Sequence, residues 1–248
     1  MEYLGYFISI IIGLSLGLIG GGGSILAVPI LVYLFHINPE QATSYSLFIV
    51  GITAMVGSYS HYKLGNLKIK AALVFALPSV LSLLFVRDVI LPRIPSIVFT
   101  VNSFEVSKNL MIMIVFAFLM IAASISMIRR STPKEIIIRD GSIRIAAIGL
   151  LVGFITGFLG AGGGFLIIPA LLFFANLPMK QAIGTSLLII FINSLIGFAG
   201  DVLKGNEIHY ELLLTISAIA LIGMFIGTYL SKKIEIIFGD NKESRIIE

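Results

Sequence analysis

The stretch Gly20-Gly21-Gly22-Gly23-Ser24 interrupts an apolar run that extends from Tyr3 to Phe35. Glycine has no Cβ and destabilises helices, so four glycines in a row do not fit one continuous helix. The run is 33 residues long, whereas a single membrane crossing needs about 20 residues. We therefore predict two half-helices, at 3–19 and 24–35, joined by a non-helical glycine tip.

The same stretch returns as Gly160-Ala161-Gly162-Gly163-Gly164, at an offset of 140 residues. The offset also holds for flanking positions: Gly13, Gly17, Pro29, Gln41 and Gly65 match Gly153, Gly157, Pro169, Gln181 and Gly205. Agreement over so long a window indicates an internal duplication. The predicted organisation is membrane repeat 1 at 1–130, a cytoplasmic inter-repeat loop at 131–141, membrane repeat 2 at 142–231 and a charged tail at 232–248.

The composition is that of a multi-pass membrane protein. Of the 248 residues, 58% are hydrophobic and 12% are charged, and the mean hydropathy is +1.06. A soluble domain carries roughly 25% charged residues. Cysteine is absent, which excludes disulfides and thiolate chemistry. The net charge of +4 comes from Lys and Arg in short loops, where they report topology. We expect no cofactor, no metal and no nucleic-acid partner.

Positive charge chooses between two topologies. Further apolar segments at 42–62, 70–91, 107–128, 182–203 and 209–230 are predicted crossings, with an irregular connector from Arg87 to Lys108. If each glycine-broken unit crosses the membrane once, nine of the 17 Lys and Arg residues lie inside and eight lie outside. If each unit is a re-entrant hairpin, 13 of the 17 lie inside, which the positive-inside rule favours. Three crossings then separate the two copies, so they insert with opposite orientation. The predicted fold is an all-α polytopic membrane protein of two inverted repeats, each opening with a Gly-broken, re-entrant helix pair.

The glycine tips are candidates for an anion site. A half-helix that begins near Ser24 or Gly164 presents free backbone N–H groups and the positive end of its dipole. Successive glycine N–H groups form a nest that suits an anion, and paired breaks in two halves point to a transporter's binding site. The predicted substrate-binding residues at the tips are Gly20, Gly21, Gly22, Gly23, Ser24, Gly160, Gly162, Gly163 and Gly164. The alternative is close helix packing through small residues, which is the favoured interpretation for Gly13, Gly17, Gly153 and Gly157.

Polar residues on the following crossings complete the predicted site. The candidates for lining the solute's path are Gln41, Ser44, Gln181, Thr185 and Asn193, and the alternative for them is hydrogen bonding between helices. His61 and Asp201 occupy equivalent positions in the two copies. Because ionisable residues at membrane depth are functional candidates, these two are predicted proton-coupling residues. Both lie near helix ends, however, and a solvated end is the favoured interpretation.

The glycine motifs resemble those of a known family. They run from Gly13 to Gly23 and on to Val28-Pro29, and from Gly153 to Gly164 and on to Ile168-Pro169. Gln-Ala, Ser-Leu and Gly-Asn pairs follow each motif. The chain resembles, over nearly its whole length, the TauE/SafE family of sulfite exporter-like permeases, also called the toluene-sulfonate uptake permease family. The resemblance implies a plasma-membrane transporter of sulfite, sulfoacetate, other sulfonates or related organic anions.

The predicted function is transport of a small anion by alternating access around the paired tips. An anion channel and a transporter of a non-sulfur organic anion remain alternatives. An enzyme is not expected, because the sequence places no carboxylate pair, metal triad or activated nucleophile at membrane depth. A membrane potential that is negative inside expels an anion with about 2.3 kcal/mol per charge per 100 mV, so uptake would need a coupling ion such as H⁺. The expected partners are the solute, the lipid bilayer and, as an open possibility, further copies of the chain.

Overall fold

Helices make up most of the chain that the structure, a computed structural model, describes. The described residues are 2–21, 23–101, 104–128, 141–159, 163–205 and 208–243. In chain order the helices are α1 (Glu2–Ile19), α2 (Ser24–Tyr33), α3 (Pro39–Lys63), α4 (Ile69–Phe85), α5 (Lys108–Ile128), α6 (Gly141–Leu159), α7 (Gly164–Phe174), α8 (Met179–Leu203) and α9 (Tyr210–Glu243).

Helix ends recur at matching places in the two copies. His36 and Asn176, which follow α2 and α7, have φ of 54° and 49°. Gly65 and Gly205, which follow α3 and α8, have φ of 72° and 79°. A residue in the left-handed conformation is a common way to end a helix, so the duplicated sequence sets duplicated helix lengths.

Four helical segments of the described chain are long and apolar enough to cross a membrane. They are Pro39–Lys63, Ile69–Arg93, Met179–Leu203 and Tyr210–Ser231. At about 1.5 Å of rise per residue, such helices exceed the roughly 30 Å hydrocarbon core. Large apolar side chains such as Leu81, Phe118 and Ile143 are exposed on the outside of the protein, where lipid can cover them. The protein is therefore an all-α polytopic membrane protein.

The main helix pairs join one copy to the other. α1 packs along α9, α6 packs along α4, and α3 packs along α8. Glycines permit this close approach: a Cβ on Gly13 would lie 1.7 Å from the carbonyl oxygen of Ala220, and a Cβ on Gly153 would lie 2.1 Å from that of Ser79. A Cβ on Gly17 would lie 2.7 Å from the carbonyl oxygen of Met224 on α9, and a Cβ on Gly157 would lie 2.7 Å from Cβ of Val86, which directly follows α4. The packing interpretation of these four glycines is confirmed.

The connector from Arg87 to Lys108 is more ordered than predicted. α4 continues through a π-helical turn at Val86–Ile90 and a 3-10 turn at Leu91–Arg93. Two antiparallel strands follow, β1 (Ile97–Val101) and β2 (Phe104–Ser107). β1 consists of β-branched and aromatic residues, which favour strands, so the prediction of an irregular connector is wrong.

The last helix extends beyond the last crossing. The candidate span Tyr210–Ser231 agrees with the crossing predicted at 209–230, and α9 continues to Glu243, within the predicted charged tail. The sequence Lys232-Lys233-Ile234-Glu235 contains no proline or glycine, and Lys and Glu are good helix formers. The helix therefore runs through the first part of the segment 232–248, of which 244–248 lies outside the described residues.

Candidate functional site

The two glycine tips contact each other. A Cβ on Gly21 would lie 2.3 Å from the carbonyl oxygen of Gly164, and a Cβ on Gly164 would lie 2.9 Å from the carbonyl oxygen of Gly21. Backbone therefore touches backbone, and a side chain at either position would push the tips apart. Three predicted tip residues, Gly22, Gly160 and Gly162, lie outside the described residues.

Each tip opens a helix without a side-chain cap. Gly23 precedes α2 and Gly163 precedes α7, and neither start has a side-chain cap hydrogen bond. Gly20 and Gly163 have φ of 85° and 69°, a conformation that glycine adopts without steric cost. The Ser24 hydroxyl donates to the Gly21 carbonyl oxygen at 2.8 Å. Since the first N–H groups of a helix have no partner within it, two positive dipole ends meet where the tips touch.

Apolar side chains close the tips in this conformation. A Cβ on Gly20 would lie 2.4 Å from Cγ2 of Ile183, and a Cβ on Gly164 would lie 2.7 Å from Cδ1 of Ile190. The described tip residues are all buried: Gly20, Gly21, Gly23, Ser24, Gly163 and Gly164. A solute can reach them only if the tips or the neighbouring side chains of α8 move.

The predicted path residues lie in three separate places. Gln41 and Ser44 are near the start of α3, where Gln41 is exposed and Ser44 is buried. Gln181, which is partly buried, and Thr185 lie near the start of α8. Asn193 is fully buried in the middle of α8 and donates to Oγ of Ser79 at 2.7 Å. Ser44, Thr185 and Asn193 each hydrogen-bond with a group outside the tips, namely Asp201, the backbone N–H of Lys68 and Ser79. α8 contacts both tips through Ile183 and Ile190.

Contacts at one end of α3 and α8 have counterparts at the other end. Ser44 near the start of α3 donates to Asp201 near the end of α8. At the corresponding positions of the other copy, a Cβ on Gly184 would lie 2.9 Å from Cβ of His61. The starts and ends of the two helices are thus paired crosswise, and α3 and α8 run antiparallel.

A second pair of contacts also occurs at equivalent places in the two copies. The backbone N–H of His209 donates to the Tyr45 hydroxyl at 2.8 Å. In the other copy, the backbone N–H of Lys68 donates to the Thr185 hydroxyl at 3.1 Å. In one copy the segment after α8 donates a backbone N–H to a hydroxyl near the start of α3. In the other copy the segment after α3 donates a backbone N–H to a hydroxyl near the start of α8.

Asp201 belongs to a buried polar cluster rather than to a solvated helix end. Its exposed fraction is 3%, and that of its partner Arg87 is 6%. Nε of Arg87 donates to Oδ1 of Asp201 at 2.9 Å, and Nη2 donates both to Oδ2 and, at 3.0 Å, to Oγ of Ser44. The favoured interpretation of Asp201 as a solvated end is therefore wrong. His61, its counterpart, is partly buried beside Gly184.

Two further ion pairs lie at the same end of the protein. Lys204 pairs with Asp88 and also donates to the backbone carbonyl of Arg87 at 2.8 Å. Lys108 pairs with Glu40 at 2.9 Å. Lys204 and Lys108 therefore each have a carboxylate partner within the chain.

A polar cavity of about 220 Å³ opens beside the cluster. Its walls include three predicted residues, Gln41, Ser44 and Asp201. Asn38, Glu40 and Tyr45 also line it, and Arg87 lies behind Asp201 and Ser44. On its far side, Nη1 of Arg87 approaches the carbonyl oxygen of Gly157 on α6 at 3.5 Å. Arg87 thus lies between this cavity and the helix that leads to the second glycine tip.

Comparison with known proteins agrees with the duplicated glycine motifs. The sequence model described as "Sulfite exporter TauE/SafE" matches residues 6–237. The chain belongs to the TauE/SafE family. This membership confirms the resemblance that the glycine motifs indicate.

Several curated relatives of this TauE/SafE chain are named probable membrane transporter proteins. One from Xylella fastidiosa strain Temecula1 is 31% identical over 185 residues, which is 72% of this chain and 65% of the relative. The protein YunE of Bacillus subtilis is 27% identical over 257 residues, 94% of this chain and 90% of that protein. MJ0441 of Methanocaldococcus jannaschii is 27% identical over 208 residues, 80% of this chain and 73% of that protein. These names indicate a transporter class rather than an enzyme. No solved structure gives a match.

Arg87 is the residue of this TauE/SafE site that sequence reasoning missed. The sequence analysis places Arg87 at the start of an irregular connector and gives it no functional role. The signal was nevertheless present, because Arg87 lies within the predicted crossing at 70–91. An ionisable residue inside a crossing is a functional candidate by default, and its partner Asp201 is 114 positions away in sequence.

Proposed function

We propose that this chain is a plasma-membrane transporter of small anions, namely sulfur oxyanions or organosulfonates of the sulfite and sulfoacetate type. The solute passes by alternating access of two inverted repeats around the paired glycine tips. Membership of the TauE/SafE family supports both the transporter class and the sulfur anion. The names of the relatives support the transporter class alone.

The contact between the uncapped starts of α2 and α7 is the observation that carries this proposal. Ser24 and Gly164 open these helices, and Oγ of Ser24 lies 3.0 Å from the position of a Cβ on Gly164. Two positive dipole ends in contact repel each other, and an anion between them would be stabilised by both. The described tip residues are uncharged, so the anion would be held by backbone dipoles and could leave again.

The crosswise pairing of α3 with α8 supports inverted repeats. The pair Ser44–Asp201 and its counterpart Gly184–His61 lie at opposite ends of the two helices. This is the arrangement that a two-fold axis in the membrane plane produces. The proposed units remain 1–130 and 142–231, with the inter-repeat loop in the cytoplasm.

The described conformation fits one state of an alternating-access cycle. In the orientation that the positive-inside rule favours, Arg87 and Lys204 lie toward the outer face, and Lys68 and Lys180 lie toward the cytoplasm. The cavity beside Asp201 then opens outward while the tips are closed. His61 and Asp201 stay predicted coupling residues, one toward each face.

An anion channel, or a carrier of a non-sulfur organic anion, is the alternative. The closed tips fit one state of a carrier and also the closed state of a gated channel, so counterflow is the measurement that separates the two. Phosphate and carboxylates carry the same negative charge as sulfite and sulfonates, so the charge of the site does not identify the solute. The affinity for each anion has to be measured.

Thermal unfolding of the purified protein tests the solute class. Sulfite or a sulfonate is expected to raise the Tm, because a ligand at 100 times its Kd adds about 2.7 kcal/mol to the stability of the folded state. Phosphate, thiosulfate and acetate form the comparison panel, and sodium chloride at equal ionic strength is the control. If neither sulfite, the sulfonate nor any anion of the panel shifts the Tm further than chloride does, the proposed anion site is wrong. A larger shift with acetate or phosphate would favour the non-sulfur alternative.

A further inference from the structure

The side chain of Arg87 holds a carboxylate in the way that it could hold a small oxyanion. Nε and Nη2 form one edge of the guanidinium, and each contacts a different oxygen of Asp201. This paired geometry is the one by which arginine recognises carboxylate, phosphate and similar groups with two oxygens on one face. A sulfite or sulfonate group presents such a pair of oxygens.

The cluster adjoins the polar cavity at the start of α3. Ser44 and Asp201 form part of the wall of the 220 Å³ cavity, and Arg87 lies directly behind them. An anion in this cavity therefore meets the Asp201 carboxylate before it meets the cation. The entering charge and the carboxylate compete for the same two N–H groups.

Two nearby cations, Lys204 and Lys108, lack the planar two-donor edge of arginine. Lys204 pairs with Asp88, and Lys108 pairs with Glu40. The side chains of Lys204 and Lys108 are 34% and 12% exposed, whereas those of Arg87 and Asp201 are each 5% exposed. Arg87 is the cation that combines burial, a planar donor edge and a place between the cavity and Gly157 of α6.

We propose that Arg87 is an anion-recognition residue and that Asp201 occupies its donor edge while the site is empty. An entering oxyanion displaces the Asp201 carboxylate, pairs with Nε and Nη2 of Arg87, and is then passed toward the glycine tips. Ser44 stays hydrogen-bonded to whichever group occupies the edge. This inference rests on the proposed anion transport, but it concerns a place distinct from the tips.

Anion binding by three proteins tests this inference: the wild type, Asp201→Asn, and the double variant Arg87→Gln/Asp201→Asn. Asp201→Asn removes the competing charge and is expected to lower the Kd for sulfite and methanesulfonate by about tenfold or more. It should also increase the preference for these anions over chloride, which has no pair of oxygens. The double variant keeps the polar shape without either charge, and its Kd is expected to exceed that of the wild type by about tenfold.

The matched control is Lys204→Gln/Asp88→Asn, which removes the neighbouring ion pair and leaves the net charge unchanged. Its Kd is expected to stay within about twofold of the wild type, well under the change that a lost charge-assisted pair causes. The inference is overturned if Asp201→Asn binds no more tightly than the wild type, or if the double variant binds as tightly as Asp201→Asn. If the wild type itself binds none of the anions, it is the proposed function that fails.

Discussion

Replacing Gly163 with alanine is expected to abolish anion flux, whereas replacing Gly65 with alanine should leave flux close to that of the wild type. Both glycines have left-handed backbones, with φ of 69° and 72°. Alanine in this conformation costs roughly 1–2 kcal/mol at either place. Only at Gly163 does the added Cβ meet another group, because it would lie 2.2 Å from Cγ2 of Thr156, while nothing lies within 4 Å at Gly65.

Both variants introduce backbone strain, but only Gly163→Ala also displaces the tip. A difference in flux between them is therefore due to the displacement. Buried Thr156 lies on α6, which packs along α4, so the tip rather than the helix has to move. Flux of labelled sulfite into proteoliposomes, at equal protein incorporation, is the measurement. A loss of at least tenfold corresponds to about 1.4 kcal/mol in the barrier. Equal flux through both variants would show that the geometry of the second tip is unimportant for transport.

Replacing Arg87 alone with glutamine is expected to destabilise the protein strongly. Asp201, with 3% of its surface exposed, would then be a buried charge without its partner. Breaking a buried ion pair from one side costs about 3–5 kcal/mol, whereas removing both charges is often neutral. The double variant Arg87→Gln/Asp201→Asn should therefore recover most of the stability that the single variant loses.

Thermal melting in detergent measures both variants under one set of conditions. The single variant should melt well below the wild type, and the double variant should melt close to it. If the single variant melts as the wild type does, Asp201 is not held in the buried pair, and the cluster described here does not form in solution.

The outline of the fold could be predicted from sequence because its signals are local. The glycine stretches at 20–23 and 160–164 disfavour a helix by themselves, and among the described residues α1 ends at Ile19, α2 begins at Ser24, α6 ends at Leu159 and α7 begins at Gly164. The hairpin of β1 and β2 is not predicted, because Pro92 and Pro95 just before β1 indicate an irregular segment.

The site could be predicted only in part, because its decisive contacts are distant in sequence. Asp201 was a candidate from its charge alone, but its environment depends on how α8 packs against α3 and α4. The same is true of the tips, whose glycines are recognisable locally. That Ile183 and Ile190 close over them follows from the packing of α8, which no periodicity within the tip reveals.

The most direct measurement of the central claim is counterflow of a labelled sulfur anion in proteoliposomes. Vesicles that contain the wild-type protein are loaded with unlabelled sulfite or sulfoacetate, and uptake of the labelled anion from outside is followed over time. Alternating access around one site predicts saturable uptake and a transient accumulation of label above its equilibrium level, both absent from protein-free vesicles. Uptake that never saturates and shows no accumulation would indicate a channel, and no uptake beyond that of empty vesicles would contradict the account.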